Sequence, residues 1–159
     1  METKRHLARL GCILATALLS LHAVVATAAD TITVETPWVR SAPPTAKVMA
    51  GYMVIHNHGP RAMTLKAAAS PLFQRVEVHR TEIMQGMAHM KPVTELEIPS
   101  HASISFEPNS YHLMLIEPKH AFEQGDLISI SLTFGDGTRV EFEAEVRDTP
   151  EAPDHHHHH

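Results

Sequence analysis

The segments Ile128-Ser-Ile-Ser-Leu-Thr-Phe134 and Val140-Glu-Phe-Glu-Ala-Glu-Val146 decide the fold class of this chain. Each alternates apolar and polar residues with a period of two, which is the pattern of a half-buried β-strand. Gly135-Asp-Gly137 lies between them and is typical of a hairpin turn. The sequence therefore predicts an antiparallel pair of strands near the C-terminus.

The same period of two extends back to residue 31. Further extended segments are predicted over residues 32–40, 51–56, 62–69, 75–81, 102–106 and 111–116, with short runs around residues 87–92 and 95–98. Pro37 indicates an edge or a bulge in the first of them. No segment after residue 29 has a sustained helical pattern. We therefore expect eight or nine short strands in an all-β fold, an antiparallel β-sandwich with Greek-key connections.

The first 29 residues are predicted to be a secretory signal peptide. Lys4, Arg5 and Arg9 precede an apolar run, and Ala26-Thr27-Ala28 supplies a small-x-small cleavage pattern. The alternative is an N-terminal membrane anchor, which the polar interruptions of the run and its cleavage pattern disfavour. We predict a periplasmic protein with one β-domain over residues 30–147. A disordered tail over residues 148–159 follows and ends in five histidines, either native or an expression tag.

Cys12 is the chain's one cysteine, and it is removed with the signal peptide. Arg9 stands where a lipid-attachment signal needs an apolar residue, so no lipid anchor is expected. The mature chain then has no thiolate, which excludes a blue-copper electron-transfer centre. Three of the 13 Lys/Arg and one of the 18 Asp/Glu lie in the signal, which leaves a net charge of −7. This charge gives no reason to expect binding to nucleic acid or to an anionic membrane.

Four residues between positions 79 and 114 form a candidate metal site. His79 and Met90 flank Gln85-Gly86, where a hairpin turn would bring their strands side by side. His112 and Met114 are two residues apart in a predicted strand and share one face, whereas Leu113 and Leu115 supply the core face. Two imidazoles and two thioethers are ligands that suit Cu(I), because thioether sulfur is soft and uncharged.

Other His and Met residues are weaker candidates. Met84, Met87 and His89 lie near the same turn and could be auxiliary ligands, although Met87 and His89 point away from Met90 if this segment is extended. His56 and His58 share a face and could bind Cu(II) or Zn, or could simply be hydrogen bonded in place. Three more methionines alternate with apolar neighbours and are predicted core residues: Met49, Met53 and Met63.

The sequence gives no support for catalysis. It contains no Gly-x-Ser-x-Gly elbow, no His-Glu-x-x-His and no phosphate-binding glycine loop. A metal held by four protein ligands also has no open position for a substrate. We therefore expect that the protein is not an enzyme.

The pattern His79-x10-Met90-x21-His112-x-Met114 resembles the signature of the periplasmic copper chaperones called PCu(A)C. The flanking segments Pro37-Trp-Val-Arg40 and Gly51-Tyr-Met-Val-Ile-His-Asn57 agree with it, and the resemblance extends to about residue 146. It implies a cupredoxin-like β-sandwich that holds one Cu(I). It also implies copper delivery toward the Cu(A) subunit of cytochrome c oxidase, often alongside Sco-like proteins. Some family members bind Cu(II) through a His- and Met-rich C-terminal extension, whereas the tail here contains His and no Met.

Two alternatives remain beside a copper chaperone. A periplasmic copper buffer or resistance protein would use the same ligands without a dedicated acceptor. A metal-free β-sandwich interaction module would use none of them, and the methionines would then be surface and core residues.

Overall fold

The structure is a computed structural model and describes residues 31–148. These residues form ten β-strands: β1 (Ile32–Arg40), β2 (Val48–Asn57), β3 (Met63–Ala69), β4 (Phe73–Met84), β5 (Met87–Pro92), β6 (Leu96–Ile98), β7 (Ser103–Phe106), β8 (Tyr111–Pro118), β9 (Leu127–Phe134) and β10 (Arg139–Arg147). The expected all-β class is confirmed, and the expected count of eight or nine strands is too low. The predicted signal peptide lies outside the described residues, as does the predicted His-ending tail apart from Asp148.

The strands form one hydrogen-bonded sheet in the order β5-β4-β8-β7-β2-β1-β10-β9-β3-β6. Additional β3–β4 and β2–β8 pairings join strands across this order, so the sheet closes on itself like a barrel. The finer expectation of a Greek-key, cupredoxin-like sandwich remains a prediction. What matters for the candidate site is that β4 lies between β5 and β8, which places all four candidate ligands on three neighbouring strands.

The expectation of a purely antiparallel fold is wrong at two pairings. β1 runs parallel to β10, with Trp38 opposite Glu145, and β7 runs parallel to β8 at Phe106 and Tyr111. β1 and β10 lie at opposite ends of the described part of the chain. The β1–β10 pair therefore has no local signal in the sequence.

Pro37 lies at a β-bulge, one of its two expected positions. The register of β1 against β2 shifts between Glu35 and Trp38, and Thr36 has a φ of 46°. The edge position is excluded because β1 has β2 on one side and β10 on the other. A bulge accommodates proline because the extra residue stands outside the ladder of hydrogen bonds.

The hydrophobic core lies on the inner face of the sheet. On β8, Leu113 and Leu115 point into it, and on β4 their partners Val78 and Val76 do the same. The predicted core methionines are confirmed as buried core members: Met49, Met53 and Met63. Strand alternation then turns the residues between these core positions toward the opposite face.

The predicted hairpins are both present. Gln85 and Gly86 have positive φ values of 53° and 78° and connect β4 to β5, as in a two-residue type I′ turn. Gly137, with a φ of 89°, completes the turn between β9 and β10. Within residues 31–148, there is no helix with the length and apolar character needed to cross a membrane.

Candidate metal centre

The four candidate ligands lie on one face of the β5-β4-β8 ribbon. His79 on β4 is directly opposite His112 on β8, and Glu77 is opposite Met114. Met90 on β5 is opposite Thr81, which shares a face of β4 with His79. The face opposite the core, left free by Leu113 and Leu115, therefore carries all four side chains.

The two histidines are buried as a pair. Their side-chain rings lie 5.9 Å apart between centroids, and His79 and His112 are 8% and 5% exposed. First-row metal–nitrogen bonds are about 2 Å long. The ring separation is therefore compatible with one ion bound by a nitrogen of each ring.

Each histidine uses one ring nitrogen for a protein hydrogen bond. His79 Nε2 lies 2.9 Å from a carboxylate oxygen of Glu77, and His112 Nδ1 lies 3.3 Å from the carbonyl oxygen of Ser110. Both acceptors lack a proton, so each of these nitrogens donates its N–H. The remaining nitrogens, His79 Nδ1 and His112 Nε2, then carry a lone pair, as metal binding requires.

These two remaining nitrogens are buried and have no hydrogen-bond partner within the described part of the chain. Buried polar atoms are nearly always paired, since an unpaired one costs about 1–3 kcal/mol. Two such nitrogens on neighbouring imidazoles are the arrangement expected of a pair of metal ligands. The residues present therefore fit a soft metal ion that accepts two nitrogen and two sulfur ligands.

The electrostatics keep the two imidazoles available as ligands. Burial lowers the pKa of His112 below its ordinary value, so its ring is neutral near pH 7. The hydrogen bond from His79 lowers the pKa of Glu77, and the guanidinium of Arg75, 2.9 Å away, adds to this effect. Glu77 is therefore an ionised acceptor that fixes the orientation and tautomer of the His79 ring.

The two thioethers give the site an open side. Met114 is partly buried and Met90 is 58% exposed. Together with His112 they line a cavity of about 420 Å³ that also contacts Arg40 and Tyr52. His79 lies outside this lining. An ion would therefore be reached by solvent or a partner from the methionine side.

The weaker candidates lie elsewhere. Met84, Met87 and His89 are on the β4–β5 hairpin, and the strand register turns them away from Met90, as expected for an extended segment. His56 is hydrogen bonded at both ring nitrogens, to Ser103 and to Glu35. Among the described residues, no three His, Cys, Asp or Glu side chains are grouped so as to hold a metal ion.

Sequence reasoning missed the residues that hold the histidine rings. Glu77 precedes His79 by two positions in a strand, a spacing that places both on one face. Ser110 contributes only its backbone carbonyl, which no side-chain pattern reveals. Arg40 was noted only as part of the Pro37-Trp-Val-Arg40 segment, with no role at the site, although its Nε is buried without a partner among the described residues and its side chain lines the cavity.

Residues 32–146 match the model of the family described as “Putative lipoprotein LpqE-like”. The chain belongs to the LpqE-like family. One relative, “Putative lipoprotein Lxx21020” of Leifsonia xyli subsp. xyli (strain CTCB07), is 26% identical over 121 residues, which are 76% of this chain and 72% of that protein.

Several solved structures have a fold similar to that of this LpqE-like chain. The copper-bound PCuAC domain from PmoF2 matches with a TM-score of 0.63 at 20% identity, over 75% of this chain and 94% of that domain. The Cu(I) form of DR1885 from Deinococcus radiodurans matches with a TM-score of 0.60 at 28% identity, over 73% and 77% of the two chains. The resemblance to PCu(A)C-type domains is confirmed.

Proposed function

We propose that this LpqE-like protein is an exported Cu(I) metallochaperone whose copper ligands are His79, Met90, His112 and Met114, hereafter the inner site. The observation that carries the proposal is the pair of buried, unpartnered nitrogens, His79 Nδ1 and His112 Nε2, on the same face as two methionines. The Cu(I) form of DR1885, at 28% identity, supports Cu(I) as the ion.

The ligand set suits transfer better than storage. All four ligands are neutral, so the bound ion keeps its positive charge, and thioethers hold Cu(I) less tightly than thiolates do. Met90 is exposed at the open side of the site and is therefore the ligand that an acceptor would reach first. Copper would pass to a partner by stepwise exchange of ligands, with no change of oxidation state and no substrate turnover.

The proposed acceptors are the Cu(A) subunit of cytochrome c oxidase and Sco-like proteins, as the PCu(A)C resemblance implies. The periplasm is the proposed compartment. Family relatives named as lipoproteins support export. For this chain we propose cleavage of the signal peptide rather than lipid attachment, because Arg9 interrupts the lipid-attachment pattern before Cys12. Cu(II) binding by the terminal histidines is a further proposal, and all these residues lie outside the described range.

A transfer experiment separates a chaperone from a copper buffer. Cu(I)-loaded protein would be mixed anaerobically with an apo Cu(A) subunit or an apo Sco-like protein, and metal uptake followed by absorbance and mass spectrometry. A small-molecule Cu(I) chelate, set to the same free copper concentration, is the matched donor control. Loading by the protein that is faster than loading by the chelate supports direct transfer. Equal rates from the two donors would favour the buffer and contradict a dedicated acceptor.

A further inference from the structure

The β4–β5 hairpin carries a second group of soft ligands on its other face. Met84 is directly opposite Met87, and Glu82 is directly opposite His89. Because paired residues of neighbouring strands share a face, Met84, Met87 and His89 lie together. These three residues are called the outer cluster here, and they do not belong to the inner site.

The outer cluster is exposed in a way that packing does not explain. Met84 and Met87 are 49% and 59% exposed, and every residue of β5 is exposed. By contrast, the methionines inside the fold are core members, and Met53, for example, is only 2% exposed. An exposed pair of thioethers beside an imidazole gains little from burial, so its contribution lies in what the sulfur atoms can bind.

The geometry of the hairpin lets the three side chains converge on one ion. Directly opposite residues have Cβ atoms about 4.5–5.5 Å apart, and residues two apart on a strand are separated by about 7 Å. The Met side chains are long and unbranched, and the His side chain rotates about two bonds, so together they can span such distances. Two thioethers and one imidazole form a soft donor set that favours Cu(I) over Zn, Mg or Ca.

A harder ion is disfavoured at the same place. Glu82, the carboxylate on this face, is held by the ammonium of Lys91 at 2.6 Å. The ammonium group also repels a doubly charged ion more strongly than it repels Cu(I). The outer cluster therefore offers sulfur and imidazole beside a carboxylate that is already paired with a cation.

We propose that Met84, Met87 and His89 form a second, weaker Cu(I) site that exchanges its ion with the inner site around the outer edge of β5. In residues 31–148, β5 pairs with β4 and ends the sheet, so no described strand covers that edge. Met87 and Met90 stand three residues apart on β5 and face opposite sides. In the proposed transfer between these two residues, one Cu–S bond would form as another breaks, and the ion would stay Cu(I) throughout.

The test follows the methionine methyl groups of the full chain by NMR during an anaerobic Cu(I) titration. In the wild-type protein, the Met90 and Met114 methyl signals should shift first and those of Met84 and Met87 second. The second shift should need about tenfold more free copper, or still higher concentrations, because the outer cluster has fewer ligands and must order exposed side chains. Because each methyl signal reports on its own methionine, copper bound elsewhere in the chain is distinguished from copper at either site.

Two variants isolate the outer cluster. In Met90→Leu/Met114→Leu, the Met84 and Met87 signals should shift with the first copper equivalent to bind the domain, and a further Met84→Leu/Met87→Leu pair should remove that binding. Ile83→Leu is the matched control, since Ile83 is an exposed apolar residue of the same hairpin. Met84 and Met87 signals that stay fixed up to several equivalents would overturn the second site. Failure of the inner site would instead show in the Met90 and Met114 signals, so the two proposals fail separately.

Discussion

The two buried histidines differ in the ring nitrogen that the protein occupies. His79 is held at Nε2 by the Glu77 carboxylate, whereas His112 is held at Nδ1 by the Ser110 carbonyl. The free nitrogen is consequently Nδ1 in one ring and Nε2 in the other. Glu77 is therefore a positioning residue that acts on copper through His79.

Replacing Glu77 with Ala should weaken Cu(I) binding by about 10–100-fold, the usual effect of removing an outer-shell partner of a ligating histidine. The reason is that His79 would lose the acceptor that fixes its tautomer and ring orientation. The measurement is an anaerobic competition titration against a chromophoric Cu(I) chelator. Glu77→Gln keeps an acceptor oxygen without the charge, so its Cu(I) affinity should lie between those of the wild type and Glu77→Ala.

Glu143→Ala is the matched control for the Glu77 variant, because Glu143 is an exposed strand glutamate on β10, outside the site. Its copper affinity should equal that of the wild type. An unchanged affinity in Glu77→Ala would show that the Glu77–His79 hydrogen bond does not prepare the ligand.

The β4–β5 hairpin positions Met90 through its turn and its pairing with β4. Gly86 has a φ of 78°, a backbone conformation that favours glycine, and a Cβ added there would meet no atom within 4 Å. Gly86→Ala should therefore cost about 1 kcal/mol of hairpin stability through backbone strain alone. Because Met90 lies on this hairpin outside the core, the expected result is weaker Cu(I) binding with little change in the global unfolding midpoint.

Gly137→Ala provides the matched comparison at the other hairpin. Gly137 has a φ of 89° and also has open space around its Cβ position, but its turn joins β9 and β10, which carry core residues. This variant should lower the urea midpoint and leave the copper affinity unchanged. Equal effects of the two variants on copper affinity would contradict a local role for the β4–β5 turn.

Sequence patterns predicted the elements that depend on neighbouring residues. The alternation through Leu113 and Leu115 assigned His112 and Met114 to the opposite face, and Gln85-Gly86 located the turn. The parallel β1–β10 pair and the β2–β8 pair depend on contacts between residues far apart in the chain, which a single sequence does not encode in any local period. The hydrogen bond from His112 to the Ser110 carbonyl is local, but its acceptor is a backbone atom, which no side-chain pattern reveals.

Bound Cu(I) should stabilise the whole domain against unfolding. An ion that binds the folded protein and not the unfolded chain stabilises the fold by about 2.7 kcal/mol when its free concentration is 100 times the Kd. The ligands come from β4, β5 and β8, and the unfolded chain does not hold these strands together. We expect Cu(I) to raise the thermal unfolding midpoint of the wild type.

The Met90→Leu/Met114→Leu variant should show a much smaller rise in the unfolding midpoint at the same free copper concentration. A chain ending at Asp148 separates this effect from the terminal histidines. Equal stabilisation of wild type and variant in this shortened chain would place the relevant copper outside the inner site.

The most direct test of the central claim is an anaerobic Cu(I) competition titration of this shortened chain. The wild type is compared with Met90→Leu/Met114→Leu and with a control, Met53→Leu/Met63→Leu, that removes two thioethers from the core. The account predicts one tightly held Cu(I) in the wild type and the control, and its loss in the Met90/Met114 variant. Tight binding that survives in that variant, or no competitive binding in the wild type, would contradict the inner site.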